Sequence, residues 1–285
     1  MAKVWNFKQE LTGAFGLPIA ENPSQYMMEA AYRHHDLDWR YLSLEVTPDG
    51  LADAVRGARA FGFRGFNCTI PHKTAVIEHL DGLGESAALM GAVNCVVRRG
   101  EELIGENTDG KGFVEAYRTI DSPAGKKIVV LGAGGAARAI TVEMALAGAA
   151  DFTIVNRTLS RGEALTELLA ERVHVQAGFV PWNGNYQIPE GTDVIINCTS
   201  IGLFPDVDAR LDLDMDTISS EMVVADVIPN PPKTRLVRDA TERGCRVIDG
   251  MGMLVNQGCL GFKYWTGVDP DPQSMYDALA EVFGA

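Results

Sequence analysis

A glycine-rich segment, VVLGAGGAARA, joins a run of apolar residues typical of a strand to a run with helical periodicity. Gly132, Gly134 and Ala137 fit the spacing G-x-G-x-x-A, and Gly135 is an additional glycine. Small residues keep such a turn tight, let the backbone touch a pyrophosphate, and leave the helix N–H groups pointing at it. The segment therefore predicts a dinucleotide site, and a glycine turn that serves only packing is the alternative.

The strand that follows this loop indicates which dinucleotide would bind. An NAD site usually has an Asp or Glu about 20 residues beyond the first glycines, where it holds the ribose 2′-hydroxyl. Here the strand DFTIVN ends without an acid and leads into Arg157, Thr158 and Arg161. Because guanidinium groups bind phosphate with two parallel hydrogen bonds, the segment from Asn156 to Arg161 favours NADP. Two ordinary surface arginines are the alternative.

Polar residues also end several elements in the first part of the chain. Lys73 follows the strand-like stretch FRGFNCTI, Asn94 lies within the predicted strand AVNCVV, and Asp109 lies in GENTDGKGF. Asn22 and Ser24 begin a predicted helix. Ligands collect at the carboxyl ends of parallel strands, so we expect Lys73, Asn94 and Asp109 to face one cleft beside a nicotinamide. A lysine–aspartate pair there would manage the proton of an alcohol–ketone interconversion, although a single lysine is more often a solvated surface residue.

Alternating strand-like and helix-like segments would position these side chains. TGAFGL, RYLSLEV, FRGFNCTI and AVNCVV predict strands, and residues 24–35 and 50–61 predict helices. A second series follows Ser122–Gly125, with KKIVVLG, DFTIVN, DVIINCTS, MVVADV and CRVIDG as strands. This order predicts an α/β fold with mainly parallel sheets. We expect a substrate-binding α/β domain over 1–120, a Rossmann domain over 121–250, and helices over 251–285 that return to the first domain.

Composition narrows the classes of partner. The chain has 285 residues, of which 38 are acidic and 25 basic, and its net charge of −13 disfavours nucleic acid. No apolar run approaches the about 20 residues of a membrane span, and MAKVWNFKQE lacks the apolar region of a signal peptide. The five cysteines form no C-x-x-C pair, which favours reduced thiols in the cytoplasm over a zinc site or a catalytic thiol. We expect a small-molecule substrate and no metal, with monomer and homodimer both open.

The motifs TIPHK, GAVN, ENTDG, GAGGAAR, NRTLSR and DGMGMLVNQG occur in the order and at about the spacing of the shikimate dehydrogenase family. The chain resembles that family from GLPIAENPS to YWTGVDP. The resemblance implies an N-terminal substrate domain, an NADP-binding Rossmann domain and an active-site cleft between them. It also implies reversible NADP-dependent oxidation of shikimate to 3-dehydroshikimate, a reaction of aromatic amino acid biosynthesis, while a biosynthetic and a catabolic role both stay open.

The resemblance also assigns roles to individual residues. Lys73 resembles the catalytic lysine that accepts and donates the proton, and Asp109 resembles its aspartate partner, which also binds substrate hydroxyls. Further matches are Ser24, Thr69, Asn94 and Gln257 for substrate, Gly132, Ala133, Gly134, Gly135 and Ala136 for the phosphates, Asn156, Arg157, Thr158 and Arg161 for the 2′-phosphate, and Val227 and Gly250 near the nicotinamide. Asn22 also lies at a position that binds substrate in the family.

Two departures from the family pattern concern the substrate. The family usually has serine where this chain has Asn22, and commonly has tyrosine where it has Pro229. Lost or reshaped hydrogen-bond partners can shift preference between related polyols by orders of magnitude. Quinate or another cyclic polyol is therefore one alternative to shikimate. A catalytically idle protein that binds NADPH as a regulator is another, and the presence of both Lys73 and Asp109 argues against it.

Overall fold

Each half of the alternating pattern forms its own six-stranded sheet in a computed structural model, which describes residues 7–284. The chain divides into two units. Unit 1 contains the described residues up to Asn107 together with Gly258–Val282, and unit 2 contains Thr108–Gln257 and the last two described residues. None of the described helices is long and apolar enough to cross a membrane.

The sheet of unit 1 has the strand order β2-β1-β3-β5-β6-β4. Its strands are β1 (Glu10–Gly16), β2 (Trp39–Glu45), β3 (Gly65–Cys68), β4 (Gly82–Leu83), β5 (Cys95–Arg99) and β6 (Glu102–Glu106). β1 pairs in parallel with β2 and β3, and β4 pairs in parallel with β6. β5 runs antiparallel to both of its neighbours. The prediction of a mainly parallel sheet is confirmed, with β5 as the exception.

Helices cover this sheet. They are α1 (Ser24–His34), α2 (Leu51–Ala60), α3 (His72–Ala75), α4 (Glu85–Met90), the later part of α9 (Gly250–Thr266), and α10 (Pro272–Phe283). α1 buries Met28 and Tyr32, one turn apart, on one face. Tyr32 stacks on Phe262 of α9 with 5.6 Å between ring centroids, and the Trp265 Nε1 donates to the Val96 carbonyl at 3.0 Å. The C-terminal helices thus return to the first sheet as expected, and each buried aromatic ring contributes about 1.5–3 kcal/mol.

Unit 2 is a doubly wound sheet in which all strands are parallel. Its order is β14-β13-β11-β7-β8-β9. The strands are β7 (Lys127–Leu131), β8 (Asp151–Asn156), β9 (Gln176–Pro181), β11 (Val194–Asn197), β13 (Val223–Asp226) and β14 (Arg246–Ile248), and β10 (Tyr186–Gln187) pairs separately with β12 (Leu213–Asp214). This is the Rossmann order, whose direction reverses between β7 and β11, and it confirms the predicted fold class.

The helices of unit 2 are α5 (Thr108–Arg118), α6 (Gly135–Leu146), α7 (Leu159–Leu168), α8 (Arg235–Glu242) and the first part of α9. Two glycines set the packing of α5. A side chain at Gly110 would overlap the Ala139 carbonyl of α6, and one at Gly112 would crowd the backbone of Gln257. Unit 2 therefore begins at Thr108 rather than at residue 121, because the linker composition marks the loop after α5 and says nothing of what α5 packs against.

Candidate active site

In unit 1, the end of β3 and the start of β5 bring two of the predicted site residues together. Asn94 lies just before β5 and not within it, and its carbonyl accepts from the Cys68 N–H at 2.9 Å. The Lys73 carbonyl accepts from the Val93 N–H at 2.7 Å. Asn94 reaches the end of β3 because β5 runs antiparallel to β3, which places the amino end of one strand beside the carboxyl end of the other.

A buried histidine holds the short helix α3 that carries Lys73. His72 is 1% exposed, and its Nε2 lies 2.7 Å from the Val46 carbonyl. The neighbouring Lys73 is half-buried. Burial raises the pKa of the Cys68 thiol to about 12, and the positive charge of Lys73 opposes that rise. Lys73 thus follows β3 on a short helix that is held in place by buried contacts.

A chain of two hydrogen bonds runs from Tyr41 through Asn67 to Asn94 at this edge of the sheet. The Tyr41 hydroxyl donates to Asn67 Oδ1 at 2.7 Å, and Asn67 Nδ2 donates to the Asn94 carbonyl at 2.9 Å. Burial raises the pKa of Tyr41 well above its ordinary value, with a smaller opposing effect from a hydrogen bond with Ser24. Ser24 is buried in the first turn of α1.

Asn22 and Thr69 are the remaining predicted substrate residues of unit 1. Asn22 accepts the Ser24 N–H through Oδ1 at 2.9 Å, an Asx turn that opens α1. Thr69 follows β3, and its N–H donates to the Phe15 carbonyl at 3.0 Å. A side chain on Gly16 would overlap the Thr69 methyl group, so glycine is required where β1 ends. Unit 1 thus holds Asn22, Ser24, Thr69, Lys73 and Asn94.

In unit 2, the phosphate loop has the shape that a pyrophosphate requires. Gly132 has φ +103°, in the left-handed region that favours glycine, and a Cβ there would lie 3.0 Å from the Cys198 carbonyl oxygen. Gly134 and Gly135 are exposed, and a Cβ on either would meet nothing within 4 Å. Open space therefore lies over the start of α6, where the first N–H groups of a helix attract an anion. Ala133 and Ala136, the remaining loop residues, are half-buried.

The predicted 2′-phosphate segment follows β8, the neighbour of β7. The Asn156 Nδ2 donates to the Thr158 carbonyl at 2.8 Å and so shapes the turn into α7. Arg157, Thr158 and Arg161 are exposed. The residues fit NADP, because two guanidinium groups lie at the end of the strand where a 2′-phosphate would sit and where an NAD site would have an acid.

Asp109 and Gln257, the remaining residues assigned to substrate, belong to unit 2. Asp109 lies in the first turn of α5, and Gln257 is 7% exposed on α9, with Nε2 donating to the Leu254 carbonyl at 3.0 Å. Gly112 of α5 faces the Gln257 backbone, so the two helices lie against each other. Lys73 lies in unit 1, so a meeting between Lys73 and Asp109 is a proposal taken up below.

The loop after β13 carries Val227 and is held by a buried carboxylate. Asp226 is 1% exposed and accepts hydrogen bonds from the Asn197 Nδ2 at 3.0 Å and the Thr234 hydroxyl at 2.7 Å. Burial raises the pKa of Asp226 to about 6, and these hydrogen bonds oppose the rise only in part. On the other side of the loop, a side chain at Gly250 would overlap the Ile228 carbonyl. Gly250, at the start of α9, thus lies against the loop that carries Val227.

The raised pKa of Asp226 predicts how stability depends on pH. The folded value is about 6 and the ordinary value 3.8, so the folded chain binds the proton more tightly than the unfolded chain. The free energy of unfolding should therefore increase by about 1 kcal/mol through this group as pH falls from 7 to 5. Urea denaturation of the wild type and Asp226→Asn at both pH values isolates the effect, and an unchanged difference between the two proteins would contradict it.

Sequence reasoning missed five residues of these two regions: Tyr41, Asn67, His72, Asn197 and Asp226. Two of them carried a signal. The strands VIIN and VVAD are fully buried, and each ends in one polar side chain at the carboxyl end, where ligand sites form. Tyr41, Asn67 and His72 stand within or beside ordinary apolar stretches, so nothing local distinguishes them. Among the described residues there is no group of three or more His, Cys, Asp or Glu that could hold a metal.

Family models match three parts of the chain. The shikimate dehydrogenase substrate binding domain matches residues 14–96, the shikimate/quinate 5-dehydrogenase model matches 115–209, and the shikimate 5′-dehydrogenase C-terminal domain matches 250–280. Together they cover most of both units.

Individual relatives are similar over nearly their whole length. The shikimate dehydrogenase (NADP(+)) of Methanopyrus kandleri is 40% identical over 275 residues, which is 95% of each chain. The ligand-free crystal structure of 5-ketofructose reductase from Gluconobacter sp. strain CHM43 is 51% identical, with a TM-score of 0.95 over 98% of this chain and 100% of that one. Shikimate 5-dehydrogenase of Thermus thermophilus, in complex with NADP(H) and shikimate, is 32% identical, with a TM-score of 0.82 over 96% and 99%.

Proposed function

Because the chain belongs to the shikimate dehydrogenase family, we propose that it is an NADP-dependent oxidoreductase that interconverts shikimate and 3-dehydroshikimate. The observation that carries the proposal is the match to NADP-dependent shikimate dehydrogenases over 95% of the chain. The Rossmann order of unit 2, its open glycine loop and the two arginines after β8 supply an independent reason for NADP.

In this proposal the two units bind different molecules. Unit 1 binds the substrate with Asn22, Ser24, Thr69 and Asn94, and unit 2 binds NADP with the loop 132–136 and the segment 156–161. The 2′-phosphate contacts Arg157 and Arg161 because arginine is always charged and forks its hydrogen bonds. When bound, NADP supplies the hydride acceptor for oxidation and, in its reduced form, the hydride donor for reduction.

Lys73 and Asp109 manage the proton. During oxidation the O–H bond of the reacting carbinol breaks and its proton goes to Lys73 Nζ, and during reduction the Lys73 ammonium returns a proton to the new alkoxide. Asp109 accepts a hydrogen bond from the substrate hydroxyl, which orients the reacting group. To accept the substrate proton, Lys73 must first be neutral or pass its own proton on.

A second candidate is the reduction of a neutral keto sugar. It is favoured by the 51% identity to a 5-ketofructose reductase, which exceeds the 38–40% identity to shikimate dehydrogenases. Asn22 also favours it, since its carboxamide oxygen is engaged by the Ser24 N–H and a serine hydroxyl pair for a carboxylate is missing. Quinate and an idle NADPH-binding role have less support, because the curated relatives are named for shikimate and both Lys73 and Asp109 are present.

The proposal places the enzyme in the cytoplasm, as a monomer or a homodimer. All five cysteines lie in the described part of the chain as thiols rather than disulfides, and Cys68, Cys95, Cys245 and Cys259 are buried, which suits a reducing compartment. Zinc ligation and thiol catalysis are not part of the proposal, because burial raises the pKa of Cys68, Cys198, Cys245 and Cys259.

A substrate panel tests the proposed function. Purified protein is assayed with shikimate and quinate plus NADP+ or NAD+, and with 3-dehydroshikimate and 5-ketofructose plus NADPH or NADH. Absorbance of the reduced nicotinamide is followed. We expect turnover of shikimate and 3-dehydroshikimate with the phosphorylated coenzyme. Turnover of 5-ketofructose alone would replace the first candidate with the second, and NADPH binding without any turnover would contradict both.

Asn22→Ser provides the matched variant for this panel, because it restores the hydroxyl that the family pattern has. If Asn22 selects against a carboxylate, the variant raises kcat/KM for shikimate relative to 5-ketofructose by about 10-fold or more. An unchanged ratio would remove Asn22 from the argument for the second candidate.

A further inference from the structure

A buried amide–carboxylate pair links the carboxyl ends of β11 and β13 in unit 2. Asn197 ends β11 and is fully buried, and Asp226 ends β13 and is 1% exposed. Asn197 Nδ2 donates to Asp226 Oδ2 at 3.0 Å. Neither residue carries chemistry in the mechanism above, and burying a carboxylate is costly unless it is paired or hydrogen-bonded.

The Asp226 carboxylate accepts hydrogen bonds from both ends of the loop 227–234 and so forms a clamp on this loop. Its Oδ1 accepts from the Ile228 N–H at 3.1 Å, and its Oδ2 also accepts from the Thr234 hydroxyl at 2.7 Å. Both ends of the loop are therefore tied to one carboxylate. The loop reads VIPNPPKT, and its three prolines have no N–H to donate. The loop therefore has few backbone donors, and the Ile228 N–H and the Thr234 hydroxyl both donate to Asp226.

Asn197 extends the same network to a second loop. Its Oδ1 accepts from the Thr199 N–H at 3.0 Å and the Thr199 hydroxyl at 2.8 Å, and the Thr199 hydroxyl accepts from the Ile201 N–H at 3.1 Å. The carbonyl of Cys198, between them, lies against Gly132. The pair thus sets the shape of two loops, one of which borders Gly132 at the start of the phosphate loop.

These loops lie where the second half of a dinucleotide must lie. In a doubly wound sheet the dinucleotide crosses the point where the strand order reverses, here between β7 and β11. The 2′-phosphate segment follows β8 on one side, so the nicotinamide half belongs on the side of β11 and β13. Resting on the proposed function, we infer that Asn197 and Asp226 are positioning residues, which hold the loops 198–201 and 227–234 in the shape that receives the nicotinamide.

Exchanging the amide and the carboxylate between positions 197 and 226 tests the inference. In Asp226→Asn, Oδ1 still accepts from Ile228, but the new Nδ2 faces the Nδ2 of Asn197, and two donors cannot bond. Asn197→Asp places two carboxylates together. The double variant Asn197→Asp/Asp226→Asn restores one donor and one acceptor, since Asp at 197 still accepts from Thr199. We expect each single variant to lower kcat by about 10- to 100-fold, because small displacements of a reacting group are costly, and the double variant to recover most of it.

The pattern of constants separates positioning from general loss of structure. NADPH Kd should stay within about threefold of wild type, since the phosphate loop and the two arginines supply most of the charged contacts. Hydrogen exchange followed by mass spectrometry should show the 227–234 amides exchanging about tenfold faster in Asp226→Asn, and at the wild-type rate in the double variant. Asp193→Asn is the control, because Asp193 accepts from the Lys127 N–H at the opposite end of β11.

Each outcome has one meaning. Faster exchange and lower kcat in the single variants, both restored in the double variant, support the inference. Unchanged exchange and kcat in Asp226→Asn, or a double variant no better than the singles, overturn it. Should Asp226→Asn not fold, Thr234→Val removes one donor to the clamp while keeping the branched side chain, and the same exchange measurement decides. Should the wild type turn over no substrate, the proposed function fails while the exchange measurements still test the clamp.

Discussion

Replacement of Lys73 by alanine should lower kcat by about 10²- to 10⁴-fold, the range that a positioned general acid–base group supplies. NADPH Kd should remain close to wild type, because the proposed cofactor contacts all lie in unit 2 and Lys73 lies in unit 1. Turnover is measured with whichever substrate the panel identifies, and NADPH binding by nicotinamide fluorescence. Lys73→Arg should be nearly as slow, since arginine keeps the charge and cannot give up its proton.

Two further variants test whether the loss of turnover is specific to Lys73 and whether it depends on Asp109. Lys263→Ala removes another lysine of unit 1, one that pairs with Asp269 at 2.6 Å on the surface, and should retain wild-type turnover. Asp109→Asn tests the partner. If Lys73 and Asp109 act together, the double variant Lys73→Ala/Asp109→Asn loses little more turnover than Lys73→Ala alone. Additive losses would place the two residues in separate roles, and a Lys73→Ala enzyme with more than about a tenth of wild-type turnover would remove Lys73 as the proton-transfer group.

Replacement of both Arg157 and Arg161 by alanine should weaken NADPH binding by about 100-fold or more, because each lost charge-assisted hydrogen bond contributes about 1.5–3 kcal/mol. NADH lacks the 2′-phosphate, so its Kd should change by no more than about threefold. The ratio of the two Kd values, measured by fluorescence titration, is the decisive quantity.

The control for this prediction is Arg238→Ala. Arg238 is an exposed arginine of unit 2 that pairs with Asp208 at 3.4 Å, on α8 and not after β8. Its removal lowers the net charge of the protein by one unit, half the change made in the double variant, and it should leave NADPH binding unchanged. Equal weakening of NADPH and NADH in the Arg157 and Arg161 variants would mean that the segment supports the turn and does not read the phosphate.

Local patterns were sufficient to predict most of the elements. The runs KKIVVLG, DFTIVN and MVVADV are β-branched and apolar, and a run of that composition is stable only when buried between neighbours, so the parallel strands of unit 2 follow. The phosphate loop was also predicted from the sequence, because a tight turn between a strand and a helix strongly favours glycine at Gly132 and Gly134. The positive φ of Gly132 and the open space at Gly134 agree with that prediction. Both depend on residues adjacent in the chain.

Contacts between distant segments could not be read in the same way. The sequence predicted Asn94 inside a parallel strand, whereas it precedes an antiparallel one, and only the pairing of Asn67 with Cys95 brings it to the end of β3. The linker at residues 122–125 suggested that α5 belongs with the first sheet, yet the packing of Gly110 on α6 places it in unit 2. Strand direction and helix partners depend on which surfaces meet, and no single segment contains that information.

By itself, then, the sequence determined an acidic α/β chain with a dinucleotide loop, a basic segment after the next strand, and a lysine and an aspartate in motifs typical of one family. Only the tertiary structure showed the partners that hold the site in shape: the Val46 carbonyl for His72, the Asn67 amide that donates to the Asn94 carbonyl, and the Asn197 amide that donates to Asp226. The reason is physical. Composition and periodicity report which residues are buried, whereas a hydrogen-bond partner is selected by the position and direction of atoms 20 to 30 residues away.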